Sequence, residues 1–596
     1  MLKLDSLLRA LSLLALGCFL LWGNSARAQD RVSVALEAPE TVSALLRQHV
    51  RLLKSAELTV PEVGPDQTAL VRRTRREVVD LLSTEGYFNP EVRLDRRSGD
   101  KWTLTVEPGV RAAITAVDIG FEGELASASE AEAAALRDSL RENWALSVGK
   151  PFRQSEWDSA KQQLLDAVSR RRYAAARTLS TRAEVNEAGT EVALSVVIDS
   201  GPTFRLGELA VSGLSRLPAD LVTRYSTVEA GDIYDQDALL ALQEALQGAP
   251  QFASVVVDIE RDPALAAAVP VRVQVAEAQS RRLSFGAGVS SNTGYRVEAA
   301  YRDVNILSRG WELSSGIRLE QLRQSLFADL FFPPAPDGHR DSIGALIDNS
   351  DLEGLKTESQ AIGIGRTTIR GDIETQIALR LQHESLHPDG ADPSSLTTLT
   401  ANWTWVQRAV DNVLDPRRGH VLEVQIGGGS SIALAEQDFV RLYGRYQHYF
   451  PIGEADMLTL RGELGATLAP SRDGIPQDFL FRAGGSQSVR GYAYQSLGVT
   501  EGDATVGGRY LGTLSGEYVH WFRRDWGVAA FVDAGDAADS RSEFRLRTGY
   551  GLGARWRSPA GPLAIDLAWG HDDARLRLHF GVAAAQQIFL PSPLLK

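Results

Sequence analysis
Two short stretches of this 596-residue chain hold residues whose types and spacing could do chemistry. The first is His383-Glu384-Ser385-Leu386-His387, a literal HExxH. Two imidazoles four residues apart reach a single zinc ion only from one face of a helix, with the glutamate as general base. Here Thr375, Ile377, Leu379 and Leu381 alternate ahead of the motif as a strand, and Pro388-Asp389-Gly390 ends the run. On an extended strand the two histidines lie roughly 13 Å apart. The match is therefore read as chance, with no metal and no cofactor expected. Neither a GxSxG elbow nor a P-loop occurs, and the chain is not expected to be an enzyme. The second stretch runs from Phe481 to Tyr492 and reads FRAGGSQSVRGY. Gly484 and Gly485 let the backbone turn tightly, and Arg490 stands between Val489 and Gly491, next to Tyr492, so the loop presents one guanidinium. Its expected partner lies in Phe531-Val532-Asp533-Ala534-Gly535, where a strand's period of two puts Phe531, Asp533 and Gly535 on one face. Arginine can grip such a carboxylate through two parallel N–H bonds. Little competing positive charge is expected nearby beyond Arg523 and Arg524.

Both stretches must be positioned by the C-terminal half, whose texture after Gln279 is short alternating segments cut by polar and glycine-rich turns. Leu283, Phe285, Ala287 and Val289 alternate, as do Tyr295, Val297, Ala299 and Tyr301; Leu563, Ile565, Leu567 and Trp569 stand opposite Ala564, Asp566 and Ala568. One apolar face and one small or polar face is what a lipid-embedded strand around a wet lumen needs. The order GG…VRGY, then FxDxG, then GxGxRxxSPxGPxxxD from Gly551 resembles the signature segments of the BamA/TamA superfamily of outer-membrane assembly barrels, and within it the translocation and assembly module barrel subunits. Asp415-Pro416-Arg417-Arg418-Gly419 is similar to the DPxRG turn common in that family. The resemblance covers roughly the last half of the chain. It implies a transmembrane antiparallel β-barrel of about 16 strands over 279–596, in which Arg490 sits on a loop folded into the lumen.

The N-terminal half is read separately. Lys3 and Arg9, the apolar run Leu11 to Trp22 and the site Ala26-Arg27-Ala28 mark residues 1–28 as a secretory signal peptide, too short for a membrane anchor. The single cysteine, Cys18, falls inside it, which leaves no disulfide framework. Fifty-three glycines against 2 methionines favour turns and strands, and a formal charge of −13 argues against nucleic acid as a partner. From about Val32 to Glu277 a unit of strand, two helices and two strands recurs, with Gly149-Lys150-Pro151-Phe152 and Gly231-Asp232-Ile233-Tyr234 as matching steps before a helix. These units, 29–111, 112–203 and 204–278, resemble POTRA modules, α+β domains whose sheet edges can accept an added strand.

The resemblance implies insertion or secretion of client outer-membrane proteins such as autotransporters, in the bacterial outer membrane with the modules in the periplasm, and an inner-membrane-anchored partner of the TamB type. A lateral seam is expected where the first strand, with Leu283 and Phe285, meets the last, with Leu576, Leu578 and Phe580. Weak pairing there would expose edge groups that a client strand could satisfy, since unpaired backbone is intolerable in lipid. The alternatives are a two-partner-secretion transporter, which usually carries two modules and a plug helix, and a passive channel, which needs no N-terminal half. The tail Ala583 to Lys596 departs from the family pattern.

Overall fold
The computed structural model describes residues 33–54, 67–97, 101–335, 337–558 and 561–582. The expected signal peptide and the tail 583–596 lie outside them. The chain divides into two compact units, one of Met1–Gly207, Ala230–Gln236 and Glu260–Val269, the other of Glu208–Glu229, Asp237–Ile259 and Pro270–Lys596, so the division runs through the third repeat.

The first unit holds two three-stranded sheets of one plan. In the first, Lys101–Glu107 lies between a parallel neighbour, Ser33–Glu37, and an antiparallel one, Glu91–Arg96. The helices Glu40–His49 and Gln67–Thr84 bury Val42, Leu46, Val78 and Leu82 against Leu94, Trp102, Leu104 and Val106 of that sheet. Each helix contributes residues three or four apart and the central strand alternate residues, the two periodicities that place one apolar face on another. The second sheet repeats the order with Ala113–Glu122, Glu191–Asp199 and Arg177–Val185. Arg177–Val185 escapes a sequence reading because it is exposed along nearly its whole length and has no apolar face to alternate. The recurring glycine step has a shared use. Gly149 and Gly231 take positive φ, Pro151 and Ile233 then bridge to Ala113 and Arg205, and Phe152 and Tyr234 are buried directly after.

A third sheet, Leu206–Ser212, Val269–Glu277 and Phe252–Ile259, precedes the barrel. Sixteen antiparallel strands, from Arg281–Ser290 to Arg575–Val582, follow one another around a closed sheet in sequence order. Their burial is inverted relative to a water-soluble protein. Phe285, Ile343, Ile364, Leu464, Val532 and Leu552 are exposed on the outer wall, while Glu298, Glu312, Asp329, Arg380, Glu463 and Asp566 are buried on the inner one. An apolar exterior around a polar interior is the arrangement that lipid outside and water inside impose. No helix among the described residues is long and apolar enough to cross a membrane, which says nothing of spanning strands.

At the junction between the third sheet and the barrel, Glu277 collects the backbone N–H groups of Ser215 (2.7 Å), Arg216 (2.7 Å) and Leu217 (2.9 Å) and the Arg216 Nε (2.8 Å). Burial alone would raise its pKa; those donors outweigh burial and hold it at about 2. A carboxyl depressed in the folded state contributes stability that is complete above its ordinary pKa of 4.5 and is lost as pH falls toward about 2. Glu277→Gln should therefore lower stability at neutral pH and flatten the acid-unfolding curve between those two values. Far-UV circular dichroism of the folded chain against pH measures this, and an unchanged acid limb would contradict it.

Candidate functional site
The segment between strands Asp456–Leu468 and Tyr510–His520 turns into the barrel instead of away from it. Gly484, Gly485 and Gly491 adopt φ of 104°, 92° and 96°, a region that side-chain-bearing residues rarely enter. Ser488 ties the turn by accepting the Gly484 N–H (2.8 Å) and donating to the Gly484 carbonyl (3.1 Å). Val489 and Tyr492 are fully buried among Phe481, Ala483, Leu497, Leu511 and Ala537. Tyr492 donates its hydroxyl to Asp572 (2.7 Å) and to the Thr548 carbonyl (3.1 Å). Burial first, and the Asp572 carboxylate with it, push that phenol up to about 12.

These anchors deliver Arg490 to Asp533. Its Nε lies 2.7 Å from Oδ2 and its Nη2 3.0 Å from Oδ1, while its backbone N–H also donates to Oδ2 at 3.0 Å. The guanidinium lies 3.5 Å from the Phe531 ring centroid. Asp533 is 0% exposed and Phe531 is buried on the same face; Gly535 is buried there too, where a Cβ would stand 2.5 Å from the Gly512 carbonyl. The sequence pattern did not reach the rest of the cluster. Arg490 Nη1 also meets Glu517 Oε2 (2.6 Å) and Asp566 Oδ2 (3.1 Å), and Arg555 Nη2 meets the same Glu517 oxygen at 2.7 Å. Two cations thus share three carboxylates drawn from separate strands. This corrects the expected surroundings: Arg523 and Arg524 lie on the exposed turn 521–525, and the competing cation is Arg555, whose position in GxGxRxxSP was the available signal. The glycines of the wall are the seat of the loop. A Cβ at Gly549 would stand 1.7 Å from the Arg490 carbonyl, and one at Gly570 2.5 Å from that of Gly491.

HExxH comes apart on strand Ile373–Pro388 as its alternation requires. Glu384 points inward and accepts the Gln477 N–H at 2.9 Å, capping a short helical turn of the lumen loop, whereas His383 and His387 are exposed on the other face. The one glutamate of the motif that does something holds the loop.

The seam is the second feature. Neighbouring strands pair extensively, with ten register pairs between the first and second strands and eight between the last two. Among the described residues the first and last strands share one, Ser290 with Gly581. Ser291 adds its N–H to the Phe580 carbonyl (3.1 Å) and accepts the Phe580 N–H on its hydroxyl (3.1 Å). The sequence places Leu283 and Phe285 on one side of the seam and Leu576, Leu578 and Phe580 on the other and leaves their register open. All lie on these two strands, and the stagger of the closed sheet puts Phe580 at Ser291 and carries Leu576 and Leu578 beyond the end of the first strand. From the inside, the lumen loop touches both sides of this joint. Asn292 donates to Ser486 Oγ (3.0 Å), and the Gly491 N–H donates to Nε2 of His579 (2.9 Å) while Arg577 donates to the Gly491 carbonyl.

The Omp85 superfamily domain matches residues 278–585, just over half of the chain, and the chain belongs to that superfamily. It is similar to the outer membrane protein assembly factor BamA of Nitratidesulfovibrio vulgaris, 24% identical over 481 residues that cover 77% of this chain and 59% of that protein. It is also similar to the chloroplastic outer envelope protein 80 of Arabidopsis thaliana, 23% identical over 408 residues, 61% of this chain and 53% of that one. The chain thus spans somewhat more than half the length of these curated relatives. Among solved structures, BamA from Haemophilus ducreyi lacking POTRA domains 1–3 superposes with a TM-score of 0.67 at 16% identity, over 79% of this chain and 99% of that one, a likeness of fold.

Breaking a buried ion pair by removing one partner costs about 3 kcal/mol or more, because the survivor is left uncompensated. Arg490→Ala and Asp533→Ala should each lower the barrel's heat stability by about that amount, with the double variant at least 1 kcal/mol milder than the sum. Arg490→Lys should not rescue, since an ammonium cannot reproduce the two-pronged contact. Loss of heat-modifiable migration with temperature reads all four, and additive losses would contradict the pairing.

Proposed function
We propose that this chain is a non-enzymatic assembly and translocation factor of the bacterial outer membrane, of the TamA type within the Omp85 superfamily. In this reading it inserts or secretes client β-barrel proteins such as autotransporters, needs no cofactor, and works with an inner-membrane-anchored partner of the TamB type. The repeats 29–111, 112–203 and 204–278 stand in the periplasm as POTRA modules and hand clients to the barrel.

The observation that carries the reading is the seam. Among the described residues one register pair and the bonds of Ser291 join the first strand to the last, against eight or ten pairs at the neighbouring joints. At about 1 kcal/mol net for each hydrogen bond, a joint of this size costs only a few kcal/mol to open. With the joint open, the edge of the first strand, Arg281–Ser290, offers backbone donors and acceptors that lipid cannot satisfy and an incoming strand can. Arg490 and its partners keep the rest of the wall rigid meanwhile, so that the sheet parts at one place.

The test is a disulfide at the pair that closes the ring, Ser290→Cys with Gly581→Cys, with Cys18 as the sequence's own sole cysteine replaced by serine. In liposomes the oxidised protein should be folded and fail to insert an autotransporter barrel, with insertion returning on reduction. Full insertion by a completely oxidised sample would remove lateral opening from the mechanism.

A further inference from the structure
The Asp415-Pro416-Arg417-Arg418-Gly419 motif lies in the turn between strands Ser394–Val410 and Gly419–Gly429, at the end of the barrel where the first strand begins. The turn is braced from within. Asp411 Oδ1 accepts the N–H groups of Arg417 (2.9 Å), Asn412 (3.0 Å) and Arg418 (3.1 Å), and Asn412 Oδ1 accepts that of Leu414 (2.9 Å). The Arg417 and Arg418 N–H groups hold the Asp411 carboxyl below its ordinary pKa. A turn built this way has a shape of its own, and it presents Asp415 in a fixed place.

Asp415 Oδ2 lies 2.9 Å from Nε of Arg557. Arg557 is on strand Arg547–Ser558, two residues on from Arg555 and therefore on the same, lumenal face. Its guanidinium lies 3.5 Å from the Trp521 ring centroid and donates to the Arg524 carbonyl (3.0 Å), while its backbone N–H donates to the Asp525 carbonyl (2.8 Å). Between the strands flanking Asp415 and the strand of Arg557 stand Phe439–Ile452, Asp456–Leu468, Tyr510–His520 and Trp526–Ala538. Counted from Gly419–Gly429, that is five strand-to-strand steps, about 24 Å along the wall. A direct contact over that separation needs the turn to reach past the four strands that stand between.

We propose that the turn 411–418 is a strap over the mouth at the end where the first strand begins, latched by the Asp415–Arg557 pair, and that releasing the latch opens the lumen from that end. The lumen loop of Arg490 fills the barrel through the other end, so the two closures are separate devices. The division of labour within the strap suits a latch. The turn's stiffness comes from backbone bonds that stay intact when it swings, and its hold on the strand of Arg557 is an ion pair whose Arg557 side chain is 16% exposed and whose Asp415 side chain is 42% exposed, so the partner on the turn is the one open to water and salt. The side of Arg557 is fixed by Trp521 and the 521–525 turn, so the mobile half is the one carrying Asp415. This inference needs the barrel alone and holds or fails independently of the client that the barrel handles.

The test uses the full chain in lipid nanodiscs with a lumenal reporter. Thr459 stands directly opposite Glu517 in the ladder and so shares its inward face; Thr459→Cys, with Cys18→Ser, gives one lumenal thiol whose labelling rate by a bulky hydrophilic maleimide is measured. Asp415→Asn and Arg557→Gln should each speed labelling by about fivefold, the range open to a pair with one exposed partner. The reversed pair, Asp415→Arg with Arg557→Asp, should return it toward the parent rate. Heat-modifiable migration identifies folded samples, and if Arg557→Gln does not fold, Asp415→Asn on its exposed turn decides the matter alone. Parent-rate labelling of Asp415→Asn, or fast labelling that the reversed pair leaves fast, overturns the strap.

Discussion
A bilayer offers no partner to a bare peptide group, and that constraint shapes every part of the barrel unit. Each strand must be paired on both sides, so the sheet closes on itself. Closure forces a stagger, and the stagger is absorbed where the chain's two ends of the sheet meet. The consequence, among the described residues, is a wall with extensive ladders everywhere except at the joint of Ser290 and Gly581. A protein made only to be a stable pore would gain by lengthening that ladder. Here the joint is instead backed from the inside by Asn292, Ser486, Gly491 and His579, which are side-chain contacts that can be exchanged without tearing a sheet.

The lumen loop converts a wet interior into a fixed one. Arg490 reaches three carboxylates on the strands that carry Glu517, Asp533 and Asp566, and Arg555 bridges two of them again. Charges buried together in this way cost more to separate than they contribute by meeting, so their effect is to fix geometry rather than to raise stability outright. The four strands Tyr510–His520, Trp526–Ala538, Arg547–Ser558 and Gly561–Gly570 are held as one panel. That panel stands directly before the last strand, so a rigid body borders the weakest joint.

How much of this could be read from the residues depends on the range of the interaction that decides it. Asp533 was legible as the partner of Arg490 because period two fixes its face and glycines at 484, 485 and 491 announce an inward loop. Glu517, Asp566 and Arg555 were not, since which strands lie side by side at which height is settled only when the ring closes. The seam register stayed open for a related reason. Sliding a strand by two residues keeps every side chain on its face, so alternation in Leu283, Phe285, Leu576 and Leu578 cannot say which of them meet. In the N-terminal half the glycine steps at 149 and 231 carried the repeat because a local turn and one buried aromatic ring define them. The exposed strand Arg177–Val185 had no such mark.

The central claim is that the wall is weak at one joint and firm elsewhere. Pulsed electron–electron resonance between spin labels in nanodiscs measures it directly, with one pair across the seam at Ala287 and Leu578 and a control pair at Ile343 and Ile364, which face each other on adjacent strands. The account predicts a broad or two-peaked distance distribution at the seam against a single narrow peak at the control. A seam distribution as narrow as the control would contradict it.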